Sequence, residues 1–563
     1  MNKIKKEIIE KLLPDIKNTS ECIEKKYPVR NMEKSAKITR IAPSPTGFVH
    51  IGGIFTALLS ERLAHQSNGV FFIRIEDTDK KREIAEATKL IIESFERFKI
   101  FADEGETLSG EEKGEYGPYK QSKREQIYKI FAKKLLEQGR AYPCFCSLDE
   151  LKKINEAQQK NEIRTGYYGE WAQCREKSNE EILQALNKNK PFVIRFKSNG
   201  SGNKIKFNDL IKGELFLPEN DQDIVIIKSD GLPTYHFAHV VDDHLMRTTD
   251  VLRGEEWLSS IPLHLELFES LCWDPPQYGH IPTINKLEGN SKRKLSKRKD
   301  PEADVFYYIK DGYPSEAIIE YLLNLIDSGF EEWRKQNLKV DNKKFYVSLK
   351  HLSGSAGPLL DMQKIEDVCK DYIGWLSTEE VFLQCFNWAK EYDMDLMKRM
   401  QNDSEYVKKI FSIERDGNQP RKDIIKWSDI KYQIEYFFDD FFEKNKINLN
   451  ELLPGIEKIE IEKIAKQFLL IYNEKDNKEE WFFKLKEMAK FLGYADNIKS
   501  YKEQKEQYKG HIGDIAMTLR VLLTGRRQAP DLFQVIQCMG INRLNTRLQN
   551  PNFIFVSLFV SSI

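Results

Sequence analysis

Two short stretches of this chain collect residue types suited to handling phosphate. The first is Pro43-Ser44-Pro45-Thr46-Gly47-Phe48-Val49-His50-Ile51-Gly52-Gly53. Its prolines and Gly47 stiffen a turn, and Gly52 and Gly53 let backbone approach a ligand closely. A helix opening after Gly53 would aim unpaired N–H groups and a positive dipole end at phosphate. His50, just ahead of that end, is placed to donate a hydrogen bond to a phosphate oxygen. The second stretch is Ser291-Lys292-Arg293-Lys294-Leu295-Ser296-Lys297-Arg298-Lys299, approached through Gly289 and Asn290, with six cations in its last eight residues. Such a loop can close over a triphosphate and stabilise charge building on pyrophosphate. Taken alone, the first also reads as a tight turn with a buried histidine. The second also reads as a solvated basic loop or a localisation-type patch.

A third group is Cys144-x-Cys146 with Cys174. Three thiolates and one further ligand can hold zinc tetrahedrally. The alternative is ordinary buried cysteines without metal. All nine histidines lie elsewhere, which excludes a local Cys/His site.

These groups must be positioned by an alternating pattern of elements. Lys37 to Ile41 reads as a strand, Gly53 to His65 as a helix and Val70 to Ile75 as a buried strand. That order points to a parallel sheet with crossover helices. Residues 110–220 interrupt it with mixed segments, including a run from Phe192 to Phe196. The sheet pattern then returns with strands at Ile224 to Ile227 and Asp250 to Arg253, and helices at Tyr235 to Leu245 and Leu258 to Leu271. From about 300 onward the chain reads as helix: Ala317 to Leu325, Ile424 to Phe442, Ile459 to Tyr472, Trp481 to Phe491 and Ile515 to Leu523. Ahead of the sheet, Ile4, Ile8, Leu12 and Leu13 give a short helical extension one apolar face, which Pro14 interrupts.

Composition narrows the class. At 563 residues the chain is too long for one core. It is 40% apolar and 31% charged, as expected of a soluble globular protein and not of extended disorder. Lys plus Arg equals Asp plus Glu, 88 against 88, so a nucleic-acid partner must be held by local basic patches. The eight scattered cysteines suit reduced thiols in the cytoplasm. The N-terminus lacks the apolar core of a signal peptide. No stretch reaches the ~18 apolar residues of a membrane span.

Together, His50-Ile51-Gly52-Gly53 and Lys294-Leu295-Ser296-Lys297-Arg298 resemble the two signatures of class I aminoacyl-tRNA synthetases, in the family's order and in the two halves of the split sheet. Gly53 ends the first where the consensus has histidine, a variant common among bacterial glutamyl enzymes. Resemblance to the glutamyl-tRNA synthetases runs from about residue 38 to 548. It is carried by Thr39 to Gly47, Arg74-Ile75-Glu76-Asp77-Thr78-Asp79, Tyr235 to His244 and Arg253-Gly254-Glu255-Glu256-Trp257. Glutaminyl-tRNA synthetases share both signatures but carry Glu-Pro-Asn-Gly at the first turn and Phe-Asp-Asp-Thr-Asn at the second. The truncated glutamyl-queuosine synthetases lack the helical half. A catalytically dead RNA-binding relative would not need His50, Lys294, Lys297, Arg40 and Glu76 intact.

The resemblance implies an α/β fold: a Rossmann-like parallel-sheet catalytic domain split by an insertion, followed by all-α stem-contact and anticodon-binding domains. The expected divisions are an extension at 1–36, the first catalytic half at 37–110 and an acceptor-stem-binding insertion at 111–222. The second catalytic half follows at 223–300, the stem-contact domain at 301–375, the anticodon-binding domain at 376–548 and an apolar tail at 549–563. The implied activity is ligation of L-glutamate to tRNA(Glu) through glutamyl-adenylate, using ATP with Mg2+, by a cytoplasmic monomer that touches no membrane.

By resemblance, the catalytic set is His50, Gly52, Lys294 and Lys297. Pro43, Thr46, Gly53 and Ser296 complete the ATP site. Arg40, Ala42, Ser44, Glu76, Tyr235, His239, Arg253 and Trp257 hold glutamate. The chemistry agrees: bidentate guanidinium suits the two carboxylates and Glu76 suits the ammonium. Tyr235 can hydrogen-bond the substrate side chain and Trp257 can wall the pocket. His239 stands where some relatives carry Asn, and Phe55 where many carry Arg. Some relatives hold zinc with two cysteines, a tyrosine and a third cysteine. Tyr167 matches that spacing, and Cys174 falls a few residues late. Near the C-terminus, Lys509, Arg520, Arg526, Arg527, Arg543 and Arg547 suggest a surface that tracks tRNA phosphates. Asn552 to Ile563 has no counterpart in the family pattern.

Overall fold

The computed structural model describes residues 3–45, 47, 49–79, 84, 86–296, 298–352, 357–415, 417, 420–444, 447–549 and 553–554. The chain divides into two compact units: residues 1–308 with 318–362, and 309–317 with 363–563. The expected stem-contact stretch 301–375 is thus shared between them.

In the first unit, Ile38–Ile41 pairs in parallel with Val70–Ile73, and the helix Ile51–Gln66 makes the crossover. Asp250–Gly254 pairs in parallel with Gln277–Ile281 across the helix Ile261–Ser270. The two pairs meet where Thr249 N donates to Ile38 O over 2.9 Å and Ile38 N donates to Thr249 Oγ1 over 2.8 Å. Parallel strands are covered on both faces, which explains the unbroken apolar run of Val70-Phe71-Phe72-Ile73. Phe71 and Phe72 are fully buried, each worth ~1.5–3 kcal/mol relative to exposure.

The insertion carries its own antiparallel sheet, in the order Ala141–Cys144, Val193–Phe196, Val225–Ile227. Ile224 to Ile227, expected in the returning parallel sheet, therefore completes the insertion. A short β-branched run does not encode which partner it will find. A hairpin, Lys204–Asp209 with Gly213–Pro218, follows the middle strand. Leu210 N at its tip donates to Tyr278 O over 2.8 Å, fastening it to the parallel pair.

The extension is part of this unit. Ile8, Ile9, Leu12 and Tyr27 are buried in the same core as Phe131, Phe237 and Phe268. Glu24 accepts from His244 at 2.8 Å, Trp273 Nε1 at 3.0 Å and Arg247 at 3.1 Å. Arg30 forks onto Glu104 at 2.7 and 2.8 Å.

The second unit is helical around one core that includes Phe411, Ile430, Phe468, Leu485 and Leu519. Side-chain caps fix several helix starts, among them Ser377 and Asn477, each closing a capping box. The span Ile424 to Phe442 holds two short helices, Asp429–Glu435 and Asp439–Lys444.

The basic residues near the end are engaged within the unit. Arg547, 2% exposed, donates to Tyr436 O and Leu523 O, each at 2.6 Å. Arg526 pairs with Glu435, Arg543 with Asp439 and Lys509 with Glu460. Arg520 caps Ala529 O and Pro530 O, and Arg527 reaches Leu452 O. Arg547 is thereby committed to the fold, whereas Lys509 and Arg527 stay exposed. Of the tail, only Phe553–Ile554 is described, paired in parallel with Ile447–Asn448. Among the described residues no helix is long and apolar enough to cross a membrane.

Candidate active site

A cavity of about 2090 Å³ opens in the first unit over the ends of the parallel strands. At its deep end lie Arg40, Glu76, Tyr235, Arg253 and Trp257, with Ala42 and Ser44 in the wall. Tyr235, His239 and Asp243 share one face of the helix Tyr235–Leu245, because their spacing is four. The Tyr235 ring packs on Trp257 with centroids 4.3 Å apart. His239 lies beneath, its Nε2 3.0 Å from Tyr278 Oη and its Nδ1 2.9 Å from Asp243 Oδ2. Burial drives this ring down to about 3, so it is neutral.

Arg40 is 3% exposed. Its Nε stands 3.5 Å from Asp243 Oδ1 and makes no hydrogen bond. Its terminal nitrogens make only long contacts, 3.4 Å to His239 Nδ1 and 3.5 Å to Leu252 O. A buried guanidinium held this loosely retains capacity for a carboxylate. Arg253 meets Trp257 O at 3.2 Å, His264 Nδ1 at 3.3 Å and His280 Nε2 at 3.1 Å.

Beneath both arginines runs an ionic layer that the site reading of the sequence did not include. Arg74 donates to Asp243 Oδ1 at 2.6 Å and to Glu76 Oε1 at 3.2 Å, and lies 3.7 Å from Asp242. Asp242 also receives Arg124 at 2.6 Å, Tyr128 at 2.8 Å and Gln121 at 2.9 Å. Burial opposes ionisation of Asp243, but Arg74 and Arg40 outweigh it and hold the carboxyl well below the usual range. Glu76 differs: burial pushes it up to about 7 against the pull of Arg74 and Arg40. The available signal was the pairing of Arg74 with Glu76 two residues on, and of Asp242 with Asp243 on the histidine helix.

At the other signature, His50 is the N-cap of the helix Ile51–Gln66, and its Nδ1 accepts from Gly52 N at 3.0 Å. The helix start is therefore closed partly by its own cap. With Nδ1 accepting, the ring proton sits on Nε2. A Cβ on Gly52 would come within 3.1 Å of His50 Nδ1, so glycine here admits the capping ring as much as any ligand. Gly52 and Gly53 line the cavity with His50.

The first four residues of the basic stretch, Ser291–Lys294, form one strand of a hairpin. Asn285–Glu288 pairs with Ser291–Lys294 around Gly289, whose φ is 61°. In that register Lys286 faces Arg293, two like charges directly opposed. Asp300 resolves the conflict, taking Arg293 bidentately at 2.6 and 2.7 Å and lying 3.5 Å from Lys286. It also accepts from Ser296 N at 2.9 Å. Arg293 is thereby committed to the fold, whereas Lys294 lines the cavity. Ser296 is engaged in the turn, and neither it nor Pro43 is in the cavity wall. Thr46 and Lys297 lie outside the described residues.

Cys144 and Cys146 also line this cavity. Their thiols and that of Cys174 lie within 4.8 Å of one another. Tyr167 Oη stands 3.4 Å from Cys144 Sγ and 3.2 Å from Cys146 Sγ, and Cys146 Sγ is 3.6 Å from Cys174 Sγ. A tetrahedron with ~2.3 Å metal–sulfur bonds has edges of about 3.8 Å. Three thiols and a phenol at these separations fit a zinc ion.

A split parallel sheet with a histidine turn in one half and a lysine hairpin in the other defines a class. The family model "tRNA synthetases class I (E and Q), catalytic domain" matches residues 37–346, and "Anticodon binding domain" matches 387–551. The chain belongs to the class I tRNA synthetases of the E and Q group. It is 48% identical over 538 residues to the glutamate–tRNA ligase of Clostridium perfringens strain 13, covering 95% of this chain and 98% of that protein. It is 46% identical to that of Clostridium beijerinckii, covering 96% and 98%. A crystal structure of a glutamate tRNA ligase from Elizabethkingia meningosepticum, in complex with its amino acid, superposes with a TM-score of 0.70 at 26% identity, covering 91% of this chain and 99% of that one. Within the class, the chain is a member of the glutamate–tRNA ligase family.

Proposed function

We propose that this chain activates L-glutamate with MgATP and transfers it to the 3′ end of tRNA(Glu). The observation that carries this is the meeting, in one cavity, of two buried arginines and Glu76 with the His50 turn and Lys294. Arg40 takes the side-chain carboxylate, Arg253 the other carboxylate and Glu76 the ammonium. Tyr235 and Trp257 close the wall. His50 Nε2–H addresses a phosphate oxygen, and Lys294, joined by Lys297, stabilises charge on the departing pyrophosphate. The glutamate α-carboxylate attacks the α-phosphorus, releasing pyrophosphate. A terminal tRNA hydroxyl then attacks the resulting acyl-adenylate and releases AMP.

Cys144, Cys146, Cys174 and Tyr167 would hold zinc, which when bound would crosslink the strand Ala141–Cys144 to the Tyr167–Cys174 segment. The assay is charging of purified tRNA(Glu) and tRNA(Gln) in parallel, with metal content read by elemental analysis. Glutamate-dependent charging of tRNA(Glu) supports the reading. No charging by folded protein, or charging with another amino acid, overturns it.

A further inference from the structure

The proposed function places Arg253 against a substrate carboxylate, and the inference here rests on that reading. Arg253 is 5% exposed, yet among the described residues no carboxylate reaches it. Its contacts are a backbone carbonyl, two imidazoles and the face of Tyr278, 4.9 Å from the guanidinium carbon to the ring centroid. A buried cation with only neutral partners keeps its charge for the ligand, but neutral partners hold it in place only if each presents an acceptor.

His280 meets that condition through a third residue. Arg253 and His280 are directly paired across the parallel strands Asp250–Gly254 and Gln277–Ile281. Arg253 Nε–H donates to His280 Nε2 over 3.1 Å, so Nε2 carries no proton. The ring proton of neutral His280 is therefore on Nδ1, which lies 2.5 Å from Asp209 Oδ2. Asp209 is 6% exposed and ends the strand Lys204–Asp209 of the insertion. Its Oδ1 is anchored separately, accepting from Ile211 N at 2.9 Å, Lys212 N at 2.8 Å and His280 N at 3.2 Å.

We propose that Asp209, on the insertion's hairpin, is a positioning residue for amino-acid binding: it fixes the His280 tautomer that orients Arg253 toward the substrate carboxylate. A carboxylate accepts and cannot donate, so one side of the imidazole is forced to be the donor and the other the acceptor. Arg253 sees only the acceptor. The same arrangement keeps the two opposite charges apart: Asp209 is one ring away from Arg253 and does not neutralise it. The insertion thus contributes to amino-acid recognition as well as to its own sheet.

The test is Asp209→Asn in the full chain, with steady-state charging of tRNA(Glu) and glutamate and ATP varied separately. Asparagine keeps an oxygen for the Ile211 and Lys212 amides, so the turn survives. Its NH2 faces His280 Nδ1, drives the proton to Nε2 and sets two donors against each other at Arg253. The expected result is a glutamate KM raised roughly 10- to 100-fold, by analogy with losing the outer partner that fixes a metal-bound imidazole, with the KM for ATP unchanged. A change of glutamate KM below twofold overturns the proposal, as does an equal loss across all parameters, which marks a structural role only. Arg253→Gln separates the two readings. If it leaves the glutamate KM unchanged, the assignment of Arg253 itself fails. If it raises the KM while Asp209→Asn does not, only the Asp209 relay fails. Asp209→Asn with His280→Gln supplies a carbonyl acceptor regardless of tautomer. Partial recovery of the glutamate KM supports the relay, and no recovery counts against it.

Discussion

The two ends of the cavity are built on opposite plans. At the deep end, Arg40, Glu76 and Arg253 are buried side chains on strands or next to them, and beneath them Arg74 is locked onto Asp243 and Glu76. At the outer end, His50 caps a helix and Lys294 projects from a two-stranded hairpin that Asp300 holds from one side. The contrast follows from what each end is asked to do. Choosing a small dicarboxylate with one ammonium needs charges already in place and stripped of water, because reorganisation at binding would erase selectivity. Stabilising a leaving group needs a charge that matters mainly in the transition state, and an exposed lysine on a braced turn is sufficient.

This contrast can be broken most directly at its foundation. Arg74→Met would leave Asp243, Asp242 and Glu76 buried without their shared cation, and is expected to cost about 3–5 kcal/mol in urea unfolding. A loss below 1 kcal/mol would show that the ionic layer is not what holds the deep end. Arg40→Ala should raise the glutamate KM by the equivalent of about 2–5 kcal/mol while leaving the KM for ATP alone, as measured by varying each substrate in turn. Lys294→Ala should do the converse, slowing turnover about 10²-fold with an unaltered glutamate KM. An effect on tRNA affinity alone would make the hairpin an RNA patch.

The pH profile sharpens the same divide. The Glu76 carboxyl is raised to about 7, so its ionised, ammonium-accepting form declines as pH falls through that value. Glutamate kcat/KM should therefore drop below about pH 7, and Glu76→Gln should lower activity and abolish the inflection. The smallest effect is expected from Asp300→Asn, which loosens Arg293 and the hairpin. Turnover should fall a few-fold with glutamate affinity preserved, and equal damage to both would place Asp300 in the general fold.

Much of this was legible in advance for a local reason. Tyr235, His239 and Asp243 declare a helix face by spacing alone, and the helix runs from Tyr235 to Leu245 as read. Arg40, Glu76 and Arg253 are legible because few residue types can pair with carboxylates and ammonium. What was missed depends on distant partners. Arg74 meets Asp243 across 169 positions and His280 meets Asp209 across 71, and neither pairing leaves a periodic trace. Arg547 and its neighbours read as a basic surface because composition does not reveal that a guanidinium has found carbonyls of its own chain. Ser291 to Lys294 read as loop because cross-strand cations argue against pairing until Asp300 is in view.

The grip of Glu24 on His244, Arg247 and Trp273 has a consequence in time. Glu24 and Trp273 are 249 positions apart. At ~5–20 residues per second, a ribosome needs roughly 12–50 s to make that intervening chain. The helix Ser20–Lys26 is thus made long before the last of its partners. Through that interval Ile8, Ile9, Leu12 and Tyr27 are without much of the core that later buries them. The helix Glu125–Glu137 reaches that apolar stretch first and Trp273 completes its surroundings last, and the wait between them is where a chaperone would have its longest opportunity.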